Sequence, residues 1–171
     1  MVKWVSATPT NPPTAPGDRN PRMTLNPNLV ALASARNIGA LATIKRDGRP
    51  QLSTVNFTFD PAPMIARISV MDGRAIVRYL RRDPRASIFI GSPDGWTYVV
   101  LEGTVDLSPV ALASDDETAD ELVEIFRLIR GEDHPNWGRY RTAMVADRRL
   151  VARLRVEHVY GLARPHYAST G

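Results

Sequence analysis

The sequence predicts a mainly β (α+β) fold: about six antiparallel strands forming a small closed or partly closed barrel, with few and short helices on its outside. Apolar, β-rich runs recur along the chain, several with period-two alternation. Asp-Gly pairs at Asp47-Gly48 and Asp94-Gly95 fall between such runs, where a tight reversal needs positive φ. Helical patterns are few, short and amphipathic.

Residues 1–24 are rich in Pro, Thr and Asn without periodicity, and read as a disordered arm. Asn26-Pro27 opens a first helix through Leu29, Leu32 and Ala33 that closes near Asn37. Ile38 to Lys45 is a strand, Arg46 to Arg49 a hairpin turn, and Gln51 to Phe59 the return strand. On that strand Val55, Phe57 and Phe59 share one face, while Thr54, Asn56 and Thr58 share the other. Met64 to Val70 follows as a third strand, completing an antiparallel meander.

Asp72-Gly73 opens a short helix that Asp83-Pro84 stops, because a residue before proline is pushed out of the helical region. Its Ile76, Val77 and Leu80 can pack on a sheet, while Arg74 and Arg78 share one face near its start. Free N–H groups and the helix dipole favour an anion there. That face is either a phosphate cradle or a solvated cationic surface. Ala86 to Ile90 and Trp96 to Leu107 are the next strands, with Gly103 a bulge or bend and Trp96 and Tyr98 on one face. Ser114-Asp115-Asp116-Glu117 is a capping box, with the serine as the cap, before a packing helix that ends at Gly131. A second short helix spans Tyr140 to Ala146, and a last alternating strand runs from Leu150 to Gly161. Residues 25–163 therefore form one domain, and 164–171 a tail.

The 171 residues, 43% apolar and 23% charged, suit one soluble domain. No apolar run is long enough to span a bilayer and no secretory leader is recognisable at the start, so a cytoplasmic location is expected. Without cysteine there are no disulfides, thiolate metal sites or cysteine nucleophile. Net charge is +4, almost wholly from arginine, since Lys3 and Lys45 are the only lysines. Arginine suits bidentate binding of phosphate or carboxylate. Nucleic acid is disfavoured, because acids are interleaved with bases and the basic helix has only Tyr79 as a stacking aromatic.

His134, His158 and His166 lack the spacing of a metal motif, and no nucleophile elbow or phosphate-binding glycine loop occurs. No protein group stands out as catalytic. That is compatible with an enzyme whose redox cofactor carries the reaction while the protein binds, orients and excludes water. Ser53, Thr54 and Asn56 are small polar groups able to hydrogen-bond a ligand, or an ordinary outward sheet face.

Taken in order, IGALATIKRDGRPQLSTV, ARISV, DGRAIVRYLRRDPRASI, DGWTYVVLEGTVDL and HVYG resemble the split β-barrel flavoproteins typified by pyridoxamine 5′-phosphate oxidase. The similarity is closer to the branch that binds the deazaflavin coenzyme F420, and it covers Leu25 to Ala163. It implies a six-stranded split barrel forming a homodimer with two cofactor sites at the interface. Arg74, Ala75, Ile76 and Arg78 would lie at the cofactor phosphate. Ser53, Thr54, Val55 and Asn56 would run along the ring and its chain, with Ser69 on the neighbouring strand. Trp96 and Tyr98 would shape the substrate side, donated from the second protomer or the same one. The family commonly has a lysine where this chain has Ile76. The implied activity is hydride transfer from reduced F420 to a small unsaturated or planar substrate. The alternatives are an FMN-dependent oxidoreductase of the same fold, or a non-catalytic binder of a flavin, deazaflavin or haem-derived ligand.

Overall fold

The computed structural model describes residues 26–93 and 95–163, so the expected arm and tail lie outside the described residues. In chain order the elements are α1 (Pro27–Ser34), β1 (Ile38–Ile44), β2 (Pro50–Asn56), β3 (Thr58–Asp60), β4 (Ile65–Met71), α2 (Ala75–Arg82), β5 (Arg85–Gly91), β6 (Tyr98–Leu107), α3 (Glu117–Arg130), α4 (Trp137–Ala146) and β7 (Arg149–Leu162). All ladders are antiparallel, in the order β2-β1-β5-β6-β7-β4-β3. No described helix is long and apolar enough to cross a membrane.

The strand count is seven rather than six because the expected Gln51–Phe59 strand divides at Phe57. β2 pairs with β1, whereas β3 pairs with β4. Strands joined by one residue thus lie on opposite margins of the sheet, which is possible only if the sheet rolls up. Phe57 is fully buried at this crossing, and its N–H donates to the Asn37 carbonyl (2.9 Å). The crossing also buries Thr58, which the simple alternation had placed outward with Thr54 and Asn56. The meander is likewise interrupted: β4 is not a hydrogen-bonded neighbour of β2, although the two come into contact across the seam of the rolled sheet.

The Asp47-Gly48 hairpin forms as its residues require, with Gly48 at φ 82° and its N–H on the Lys45 carbonyl (3.0 Å). Gly103 marks a register shift between β6 and β7; a Cβ there would lie 1.8 Å from the Arg155 carbonyl oxygen.

The barrel interior is filled by Leu41, Phe57, Ile68, Ile88, Ile90, Leu101, Leu150 and Leu154, sealed by Leu29 and Leu32 of α1 and by Ile76, Val77 and Leu80 of α2. Each large side chain so buried contributes about 1.5–3 kcal/mol. A second cluster, Leu122, Ile125, Met144 and Val151, seats α3 and α4 against the outside of β7.

The cap of α3 is Asp116, not Ser114. Its carboxylate accepts from the N–H groups of Ala119 (2.7 Å), Leu112 (2.7 Å) and Ala113 (3.0 Å). A carboxylate has enough lone pairs for all three, which one hydroxyl lacks. Those bonds hold the Asp116 carboxyl below its ordinary pKa despite burial. Gly131 ends α3 in the left-handed region (φ 69°), as its position implied. The last short helix starts at Trp137, earlier than expected, because Asn136 caps it by accepting from Arg139 N–H (2.8 Å).

Candidate functional site

The seam is where the sheet lacks backbone pairing. β2 is bonded on one side only, by β1, so alternate N–H and C=O groups on its other side remain available to a ligand. A cavity of about 980 Å³ opens along this margin. One wall is β2, with Gln51, Ser53, Thr54, Val55 and Asn56. A second is the end of β4 and the start of α2, with Ser69, Met71, Arg74, Ala75 and Ile76. The third is helical: Ile125, Phe126, Ile129 and Arg130 of α3, His134 in the following loop, and Tyr140 and Met144 of α4.

Ser53, Thr54, Val55, Asn56, Ser69, Arg74, Ala75 and Ile76, far apart in the chain, thus converge on one cavity. Three other candidate residues stand outside its lining. Arg78 donates Nη1 to the Gly73 carbonyl (3.0 Å), at the rear of the turn. Tyr98 stacks on Phe89 with ring centroids 5.5 Å apart, and Trp96 is 72% exposed. Ile76 lines the cavity through its position on α2, but its side chain is buried in the barrel core.

The start of α2 is electrostatically unusual. Arg74 is the N-cap residue, makes no side-chain cap bond, and no acidic residue occupies the first turn. The first N–H groups of a helix lack intrahelical partners, and a cation at that positive end is unfavourable by roughly 0.3–1 kcal/mol. An anion in the cavity would satisfy both. The other arginines of this region are committed elsewhere: Arg81 to Asp72 (2.5 Å), Arg82 to the Ile44 carbonyl, Arg85 to Asp83 (2.7 Å) and Arg67 to Glu124 (3.1 Å). Hydrogen bonds from Arg148 and Arg81 hold the Asp72 carboxyl below its ordinary pKa. Bonds from Arg85 draw Asp83 down to about 2.

Sequence reasoning missed the helical wall and Arg149, at the start of β7. Arg149 donates Nη1 to the Ser69 hydroxyl (3.1 Å) and Nε to Asp147 (3.3 Å). Phe126, His134 and Tyr140 of the helical wall form a contiguous ring cluster with Trp137 of α4, centroids 5.1–5.8 Å apart. Asn136 N–H donates to His134 Nδ1 (3.0 Å), and Tyr140 O–H donates to the Leu122 carbonyl (3.1 Å). Burial pushes the Tyr140 hydroxyl pKa up, with Arg149 opposing. The only local signal for this wall was the aromatic HPNWG loop and the tyrosine after it. Among the described residues, no cluster of three or more His, Asp or Glu could hold a metal ion.

A cation at one end, a polar strand margin along the side and aromatic rings on the helical wall suit a planar molecule with an anionic tail. A rolled antiparallel sheet that opens at such a seam defines a split-barrel fold. The chain belongs to the pyridoxamine 5′-phosphate oxidase family, whose profile matches residues 25–163. It is 28% identical over 139 residues to an F420H(2)-dependent biliverdin reductase of Mycobacterium tuberculosis, covering 81% of this chain and 89% of that protein. Among solved structures, an F420 reductase superposes with TM-score 0.57 at 21% identity, covering 76% of this chain and 94% of the other. A conserved hypothetical protein of Mycobacterium tuberculosis superposes with TM-score 0.65 at 17% identity, covering 91% and 98%.

Proposed function

We propose that this protein is an oxidoreductase that binds reduced coenzyme F420 at the seam and reduces a small planar, unsaturated acceptor lying over the bound ring. The observation that carries the reading is the cationic start of α2, with no acidic residue in its first turn, facing a cavity large enough for a cofactor and part of a substrate. Arg74 and the leading N–H groups of α2 would hold the phosphate. Ser53, Thr54, Asn56 and Ser69 would fix the ring and its chain by hydrogen bonds. When bound, the cofactor would supply a hydride to an electrophilic carbon of the acceptor and be oxidised in turn, with the proton that completes the reduction taken from solvent. The protein's own part is to orient the two molecules and keep water from between them. The relative's acceptor, biliverdin, is the first substrate to test.

The reading extends to a homodimer. In register, Ala40, Phe89, Val100 and Tyr160 form one row across the outer sheet face. Ile38, Leu52, Phe89, Tyr160 and Leu162 expose apolar area on that face. Thr54 shares it, so the seam borders the proposed interface. Trp96 and Tyr98 would then act from the partner side.

Fluorescence titration of the purified protein with F420 and with FMN tests the cofactor, and tighter binding of FMN would reverse the assignment. Oxidation of reduced F420 in the presence of biliverdin and other conjugated acceptors tests turnover. Tight F420 binding without turnover on any acceptor would instead favour a carrier. The observation on that side is Ile76, an apolar, buried residue where the family commonly has lysine.

A further inference from the structure

We propose that Arg149 is a second phosphate-binding guanidinium, taking over from β7 the contact that Ile76 cannot make from α2. This rests on the cofactor reading above and adds a residue to it. The backbone of Arg149 pairs with Met71, the last residue of β4 before the turn into α2. That turn is tied to the start of β7 by two bonds between Asp72 and Arg148. Asp72 N–H donates to the Arg148 carbonyl (3.0 Å), and Arg148 Nη2 donates to the Asp72 carboxylate (2.9 Å), which also takes Arg81 (2.5 Å). Arg148 holds a left-handed backbone, φ 52°, to make this approach. Such strain in a residue other than glycine persists only where the surroundings enforce it. Arg149 is therefore delivered to the cavity beside the segment that carries Arg74.

Its side chain is 28% exposed and lines the cavity. Of its five N–H donors, one is spent on Ser69 and one on Asp147. Nη2 has no protein partner among the described residues, leaving donors for a ligand. The Asp147 carboxylate is 40% exposed and meets Nε at 3.3 Å, so it cancels little of the charge at the cavity. Ser69, having accepted from Arg149, keeps its own hydroxyl proton to donate. Two guanidiniums, a serine hydroxyl and a helix start together match a phosphate ester better than a lone carboxylate.

The test is fluorescence titration of the intact protein and of Arg149→Ala, Arg149→Gln and Arg149→Lys. The probes are F420 and the deazaflavin fragment that ends at the sugar-alcohol chain and lacks the phosphate. Arg149→Ala should weaken F420 by about ten- to hundredfold, the loss of one charge-assisted contact. Affinity for the phosphate-free fragment should stay within about twofold, and Arg149→Lys should recover part of the loss. Equal weakening of both probes, or of neither, would overturn the proposal and leave Arg149 a structural partner of Ser69. Arg149→Gln keeps a donor for Ser69 and separates charge from folding if the alanine variant is unstable. If the wild-type protein binds neither deazaflavin, the F420 reading fails by itself; FMN against riboflavin then tests Arg149 on the same criterion, and failure to bind FMN overturns it too.

Discussion

Placing a lysine at position 76 should move stability and affinity in opposite directions. Ile76 is 7% exposed and packed with Val77 and Leu80 in the barrel core. Burying an isoleucine is worth about 1.5–3 kcal/mol, of which a lysine stem laid along the same surface keeps part. Ile76→Lys should then cost about 1–2 kcal/mol, which at an m-value of about 1–3 kcal/mol/M lowers the urea midpoint by roughly 0.5–1 M. Added charge beside Arg74 deepens the loss in the free protein. With F420 present the deficit narrows. A new ammonium–phosphate contact should tighten binding about tenfold, or roughly 1.4 kcal/mol. At a cofactor concentration about 100 times the variant's Kd, binding contributes roughly 2.7 kcal/mol to the variant and about 1.4 kcal/mol to wild type, which brings the two urea midpoints close together. The assay is urea unfolding with and without F420, beside fluorescence titration. A folded Ile76→Lys protein whose F420 affinity is unchanged or weaker would refute a phosphate seated at the start of α2.

Two further expectations concern the frame of the site. Asp116→Ala should destabilise by about 1–2 kcal/mol, the usual cost of a lost cap, with Ser114→Ala close to neutral. Equal urea midpoints for the two variants would contradict the capping assigned here. Asp72 has a folded pKa below its ordinary 3.8, so its contribution is present above that value and fades as pH falls through the folded one. Asp72→Asn should therefore flatten the decline of the urea midpoint below about pH 4; parallel declines for variant and wild type would show that Asp72 carries none of it.

The parts of the fold legible in the sequence were those set by neighbours in the chain. Strand alternation, the Asp47-Gly48 turn, the Gly103 bulge and the Gly131 terminus each answer to local backbone chemistry, and each stands where its residues indicated. The division at Phe57 was hidden because Val55, Phe57 and Phe59 alternate across it as an unbroken strand would. What separates β2 from β3 is a choice of partner, made by pairing with β1 and with β4 respectively. Half of the cavity escaped notice for the same reason. Leu122, Ile125 and Ile129 have the spacing of any packing helix, and only the tertiary fold brings the end of α3 opposite β2. Arg149 reads in sequence as one arginine of an alternating strand, and its link to Ser69 spans 80 residues of the chain.

The single peptide crossing at Phe57 works like the spring of a clothes peg. It clamps the two jaws, β2 and β4, at one end, so any parting must occur at the other, by Gln51 and Met71. Arg74 and Arg149 stand on the β4 side of that free end, and a ligand held by them and by β2 would tie the jaws together. Escape of such a ligand and loosening of the barrel would then be a single movement.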